Sequence, residues 1–286
     1  MDPFPTREAE RLLKEWGVQS LPVEPLAIAE RNDIACQGMP SKQGGVSGMF
    51  VRSGNAYGIL YATHVDNEGF QRFSIGHELG HYFLPGHPEA VFAGSAIHES
   101  RAGFVSSNKY EDEADYFACG LLMPTYLFDP ALDKAGDGLN AIETLHNLCK
   151  TSMTATAIRY AQRTPEPAAI VVSIGDKVDY CFMSDELKEY PNLTWIKKGS
   201  LLPRSSKTYA FNRDKKNVLH AEKDAGPVNL TTWFDGDIEG ELYEEIVGLG
   251  SYGKTLTVLS TSDLPDLDDI AEDEELEESW TPRFRK

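Results

Sequence analysis

Residues 73 to 86 read FSIGHELGHYFLPG. No other stretch constrains the fold as much, because its pattern has chemical meaning only on a helix whose face is covered. His77 and His81 are four apart, so on a helix they lie about 40° apart around the axis, one turn along it, and both imidazoles reach one ion. Glu78 stands about 100° around from His77 and about 60° from His81, on the flank of the pair. Two neutral nitrogens that hold zinc, beside a carboxylate that takes a proton from water, are the parts of an HExxH site. Gly76 and Gly80 each weaken such a helix by about 1 kcal/mol, and close packing of another backbone would offset that. The pattern also arises by accident on amphipathic helices, so it needs a third protein ligand to define a zinc site.

The next helix offers one. In YEDEADYFACGLLM, residues 110 to 123, Ala114, Phe117, Ala118, Leu121 and Leu122 fall at i, i+3, i+4, i+7 and i+8, a full core-facing stripe that Pro124 ends. Four acids precede or interleave with it. Asp112 points away from the stripe and is the poorest candidate. Glu111 and Glu113 lie on opposite flanks, and spacing alone does not choose between them.

The two motifs together, HELGH and, about thirty residues on, EDEADYFACGLLMP, resemble the ImmA/IrrE family of metallopeptidases. Its second motif runs Glu-x-Glu-Ala-Asn/Asp-x-Phe-Ala-x-x-Leu-Leu-Met-Pro. Glu111, Glu113, Ala114, Asp115, Phe117, Ala118, Leu121, Leu122, Met123 and Pro124 all match. The resemblance covers a little over half the chain. It implies a zincin-like fold, His77 and His81 as zinc ligands (with Mn2+ as an alternative ion), Glu78 as general base, Glu113 as third ligand, and Asp115 as a partner that orients a ligand histidine. It also implies a protein substrate: members act on helix-turn-helix repressors under DNA damage or other stress. A further donor is needed for the oxyanion, and His87, His98, Tyr82 and Tyr110 are near in sequence without anything to distinguish them. His64, His98, His146 and His220 have no partner at ligand spacing and read as ordinary.

The rest of the chain supplies an α+β plan. Residues 6 to 17 read as a helix started by Thr6 and stopped by Gly17, VEPLAIAERND as a second, and GVSGMFVRSGNAYGILYATH as a hairpin or meander. Residues 139 to 163 read as two short helices around a turn, with Thr151 or Ser152 capping the second. After TPEP the runs AAIVVSIGDKVDYCFMS, TWIKKGSL, VNLTTWF, ELYEEIVGLG and KTLTVLST read as strands. The expected organisation is a zincin-like metallopeptidase domain with a small sheet over 1–135, a helical, HTH-like pair over 136–164, a β-rich mixed domain over 165–262 and an acidic tail over 263–286. The layout of the third part resembles the GAF-like sensor domain of some ImmA/IrrE members.

Composition removes several function classes. The formal charge is −18 over 286 residues. The tail carries ten acidic and three basic groups, leaving −11 for the body. Such a chain is a poor sequence-independent binder of nucleic acid, which takes surplus Lys and Arg. The segment LCKTSMTATAIRYAQR has a helix-turn-helix outline but only Lys150, Arg159 and Arg163 as basic groups, so a DNA-binding regulator is a weaker reading than a packed helical pair. No run of eighteen apolar residues and no secretory pattern occurs, and the four cysteines form no CxxC pair. The expectation is a cytoplasmic protein that meets no membrane. It is a zinc endopeptidase acting on a repressor, or alternatively a zinc-bound binder of a repressor or toxin that does not turn over.

Overall fold

The stripe on residues 114 to 122 is wholly buried in the computed structural model, with Ala114, Phe117, Ala118, Leu121 and Leu122 each 0 % exposed. The structure describes residues 3–40, 45–101, 108–190, 193–234, 240–261 and 264. Apart from Leu264, the acidic tail lies outside the described residues. The chain divides into two units, one of residues 1–136 and 140–159, the other of 137–139 and 160–286. Most of the expected helical pair therefore belongs to the first unit.

The first unit runs α1 (Phe4–Glu15), α2 (Pro25–Arg31), β1 (Ala35–Met39), β2 (Val46–Ser53), β3 (Ala56–Ala62), α3 (Glu68–Phe83), α4 (His87–Val91), β4 (Ile97–Arg101), α5 (Lys109–Leu122) and α6 (Thr125–Ala135). Two further helices, α7 (Gly138–Cys149) and α8 (Met153–Arg163), carry its last residues. The sheet has the order β1-β3-β2-β4, with β1 parallel to β3 and the other pairs antiparallel. The glycine turn at Gly54 has φ +63°, which closes the β2–β3 hairpin. Helix α3 lies on β2 and β3 and against α5, and α5 in turn packs on α1. Phe50, Ile59, Ile75, Leu79, Phe117 and Leu121 share one core with α1 residues Ala9 and Leu13.

Glycines set the close approach of α3 and α5. A methyl added at Gly76 would stand 3.3 Å from Ala118 Cβ, and one at Gly80 would stand 3.0 Å from Ala114 Cα. The glycines of α3 therefore face the alanines of α5, which is how two backbones come near enough for the histidines of one to meet the acids of the other. At Gly120 a methyl would stand 2.7 Å from the Thr6 carbonyl oxygen and 2.8 Å from Thr6 Cα. Backbone cannot yield as a side-chain tip can. Gly120→Ala is expected to destabilise the protein by about 1–3 kcal/mol through overpacking, read as a lower denaturation midpoint at unchanged m-value. An unchanged midpoint would mean that α1 is free to move away from α5.

Thr6 does not start α1. The helix begins at Phe4 with a proline in its first turn, and Thr6 is buried, its hydroxyl donating to the Tyr116 carbonyl at 3.0 Å. The residue reads as a cap because capping chemistry and an inward hydrogen bond use the same hydroxyl. For α8, Ser152 is the residue that caps: its Oγ accepts from Ala155 N at 3.1 Å.

The second unit is a five-stranded antiparallel sheet of β5 (Ala168–Ile174), β6 (Lys177–Met183), β7 (Lys223–Asn229), β8 (Glu241–Gly248) and β9 (Thr255–Ser260), in the order β6-β5-β9-β8-β7. Short helices α9 (Asp185–Lys188), α10 (Lys207–Asn212), α11 (Lys215–Leu219) and α12 (Leu230–Trp233) complete it. One face packs Ala169, Val171, Cys181, Met183, Leu242 and Leu259 against Leu187, Leu202, Trp233 and Phe234. On that face Glu244 is 0 % exposed, and its carboxylate accepts from Lys207 N, Thr208 N and the Thr208 hydroxyl, closing the start of α10. Two expected strands differ. Residues 194–201 form no strand beyond a single bridge between Lys177 and Leu201. In VNLTTWF the strand ends at Asn229, and one helical turn carries Leu230 and Trp233 inward.

Candidate metal centre

Four elements converge on the HELGH segment. Helix α3 brings His77 and His81, which are 6 % and 0 % exposed, with Nε2 atoms 3.1 Å apart. Asn67 caps this helix, accepting from Phe70 N at 2.8 Å, so the motif is held two turns inside a well-started helix. Helix α5 brings the acids. Glu111 Oε2 lies 3.3 Å from His77 Nε2 and Glu111 Oε1 lies 3.4 Å from His81 Nε2. The three residues offer ligand atoms all within 4.8 Å of one another, the one such His/Cys/Asp/Glu group among the described residues.

Glu113 is not at this point. Its carboxylate Oε2 stands 3.0 Å from His87 Nε2, and Oε1 stands 3.3 Å from Lys109 Nζ. The acid brought to the two histidines is thus Glu111, where the resemblance implied Glu113, and the reason is helical. Glu111 and Asp115 are four apart on one flank of α5, and both reach His77: Asp115 Oδ1 is 2.7 Å from His77 Nδ1. Glu113 lies on the other flank with Lys109. The signal was present in the sequence. If Asp115 orients a ligand histidine, the acid on its own flank is Glu111.

His98, read as ordinary, also belongs to the site. It sits on β4 opposite Phe50, with Nε2 2.9 Å from Glu111 Oε1 and its ring centroid 4.7 Å from that of His81. A ligand-shell residue on a strand shows no helical spacing, so the sequence carries no signal for it. His87 is 1 % exposed and bonds both His81 and Glu113. Tyr110 rests edge-on against His87, and Tyr82 packs with Phe50 and Tyr57 in the core.

Glu78 is 0 % exposed, and neither carboxylate oxygen makes a well-formed hydrogen bond among the described residues, with only the Ser100 hydroxyl near enough to favour its charge. Burial pushes its pKa up to about 7, against the pull of the His77 charge. Burial opposes charge on His77 too, but its hydrogen bonds to Asp115 and Glu111 outweigh it and lift His77 to about 10. His81 goes the other way, lowered to about 4 by burial despite Glu111. Burial disfavours ionised Glu111, yet the imidazoles of His77, His81 and His98 around it hold its pKa well below the carboxylate range. The site thus attracts a cation, and in its absence a proton on His77 fills that role.

These residues fit a divalent metal on three counts. The donor set is two imidazoles and a carboxylate, a familiar zinc set. Two nitrogens bound tetrahedrally to one zinc would stand about 3.3 Å apart, close to the 3.1 Å observed. The buried Glu78 carboxylate, without a well-formed hydrogen bond, lies one residue from His77, where a water on the ion would supply one.

The floor under Glu78 is Gly48, on β2. A methyl there would clash with Glu78 Oε1. Gly48→Ala is expected to push the carboxylate aside and to cut any hydrolytic turnover at least about tenfold, since small misplacements of reacting groups cost that much. Metal affinity, measured by chelator competition, should stay within about threefold. Full turnover in that variant would show that the carboxylate position is not critical.

An α+β domain with HExxH on a covered helix and a glutamate from α5 facing it defines a metallopeptidase-like protein. The comparison with known families agrees: residues 29–160 match the IrrE N-terminal-like domain of peptidase family M78. The matched domain agrees with the likeness of the two motifs to the ImmA/IrrE family. No curated protein matches the chain. Among solved structures, a Mycobacterium tuberculosis transcriptional regulator aligns with a TM-score of 0.55 at 12 % identity, over 99 % of this chain and 93 % of that one. At that identity the likeness is one of fold. No helix among the described residues is long and apolar enough to cross a membrane.

Proposed function

We propose that this protein is a zinc-dependent regulatory endopeptidase that cleaves a helix-turn-helix transcriptional repressor in a stress response. The observation that carries the catalytic part is Glu78: a fully buried carboxylate without a well-formed hydrogen bond, beside two imidazoles and Glu111 that converge on one point. A structural helix has no use for such a group, which costs stability. His77, His81 and Glu111 would hold the ion, and Asp115 would fix the His77 ring by accepting from Nδ1. Zinc bound there supplies Lewis acidity to a peptide carbonyl and lowers the pKa of a water. Glu78 takes the water's proton and passes it to the leaving amine. His98, 2.9 Å from the Glu111 oxygen that also faces His81, fixes that carboxylate against β4.

The repressor as substrate rests on the family resemblance and on charge. A body of −11 favours encounter with a basic, DNA-binding partner. Direct DNA binding through α7 and α8 has little to draw on. Arg159 is 2 % exposed and donates to Met123 O, and Lys150 lies 3.2 Å from Glu68. The four cysteines are unpaired, which supports a reducing compartment, the cytoplasm. The second unit is read as the regulatory half, on its sensor-like layout alone.

The test mixes the purified chain, with zinc or manganese supplied, with helix-turn-helix repressors encoded beside it and follows products by mass spectrometry. One specific cut, abolished by a chelator and restored by zinc, is the expected result. Binding of a repressor with zinc retained and no cut under any condition would move the protein to the non-catalytic class.

A further inference from the structure

The carboxylate that does not reach the metal point has its own place. We propose that Glu113 and His87 form a relay that sets the tautomer of His81, so that His87 is a positioning residue for the metal centre. The inference rests on the metal reading above and extends it to two residues that no ligand role explains.

The argument follows hydrogen atoms. His87 Nε2 stands 3.0 Å from Glu113 Oε2. An ionised carboxylate only accepts, so this nitrogen carries the hydrogen. A neutral imidazole with its hydrogen on Nε2 has a bare Nδ1. That Nδ1 lies 3.1 Å from Nδ1 of His81, and two bare nitrogens would repel, so His81 donates through Nδ1–H. His81 Nε2 is then left bare to accept from His77 Nε2 at 3.1 Å, with Glu111 farther off at 3.4 Å. This is the tautomer that a metal requires of a ligand histidine. On the neighbouring histidine the same result is reached in one step, because Asp115 accepts directly from His77 Nδ1 at 2.7 Å. Both histidines thus end on a carboxylate, one directly and one through an intervening imidazole.

The surroundings keep the relay in register. His81 is 0 % exposed and His87 1 %, so water does not compete for the shared hydrogen. Tyr110 meets the His87 ring edge-on at 5.0 Å. Lys109 holds the outer oxygen of Glu113 at 3.3 Å, leaving Oε2 for His87. His87 starts α4 directly after Gly86, whose φ of +79° turns the chain back towards α3.

The experiment reads tautomers and affinity together. Imidazole nitrogen–proton correlation spectra of the metal-free full chain should show His81 as the Nδ1–H form and His87 as the Nε2–H form. Zinc affinity by chelator competition should fall on the order of 10–100-fold in His87→Phe, the usual effect of losing such a partner. His87→Gln, whose side-chain carbonyl can accept from His81, should recover most of that loss. Glu113→Ala should fall less than His87→Phe and leave the His87 tautomer mixed. A purely structural His87 would change stability and leave the His81 tautomer alone. The relay is overturned by an Nε2–H form of His81 in the wild type, or by wild-type zinc affinity in a folded His87→Phe. Absence of zinc binding by the wild type would sink the metal reading, while its His81 tautomer still decides the relay.

Discussion

Glu78→Gln should lose repressor cleavage by a factor on the order of 10²–10⁴, the range for removing a general base, while retaining zinc and binding the repressor. That range corresponds to a barrier raised by about 3–5.5 kcal/mol. The amide keeps the shape of the side chain, so the floor at Gly48 and the helix around it are undisturbed. A second signature separates base from scaffold. In the metal-free protein Glu78 has its pKa raised from 4.5 to about 7. The folded chain therefore keeps a proton that the unfolded chain releases near 4.5, so this group's contribution to stability is full below that value and is lost as pH rises through about 7. Glu78→Gln removes this part of the pH dependence. Thermal melts of both metal-free proteins between pH 5 and 8 read the difference; parallel curves would mean that Glu78 stays ionised when buried. Undiminished cleavage by the variant would remove Glu78 from the chemistry.

The second large effect separates two glutamates that stand two residues apart. Glu111→Ala should lower zinc affinity by about three orders of magnitude or more, since it removes one of three protein ligands. Glu113→Ala should cost less than about a hundredfold, the range for an indirect partner. The contrast follows from which flank of α5 each occupies: Glu111 stands 3.3 Å from His77 Nε2, and Glu113 stands 3.0 Å from His87. Competition with a chromophoric chelator measures both. The reverse order would restore Glu113 as ligand and require α5 to rotate on binding metal.

That pair shows where sequence reasoning reached and where it stopped. The apolar stripe, the HELGH helix with its two glycines and the β2–β3 hairpin were all legible, because each rests on local spacing. The facing of Gly76 and Gly80 by Ala118 and Ala114 was half legible: the glycines announced a close neighbour without naming it. The flank of α5 that meets α3 was not, since a helical wheel has no memory of which neighbour it will face. His98 was hidden for a related reason, as strand pairing brings it to Glu111 across thirteen residues with no periodic mark. In the second unit, β7 holds Gly226 and Pro227 and little apolar surface. Among the described residues it pairs only with β8, at the edge of the sheet, where a proline is tolerated and no alternating pattern is required. TWIKKGSL shows the opposite error: apolar and aromatic residues without a partner strand make a loop that buries Ile196 and Leu202.

Arg159 has a consequence for anyone who would shorten this protein. The chemistry ends by residue 115, and a cut after α6 looks harmless on motif grounds. Yet the guanidinium of Arg159 donates to the Met123 carbonyl at 3.2 Å and to the Thr125 hydroxyl at 2.8 Å, and lies 3.7 Å from Glu10. Glu10 in turn accepts from Thr125 N at 2.7 Å. One arginine thus ties the first helix to the joint between the metal-bearing helix and the next. A fragment cut at residue 136 would keep every catalytic atom and leave Glu10 as a nearly buried charge without its counter-ion, so the smallest autonomous peptidase-like unit is set by an arginine that never approaches the metal.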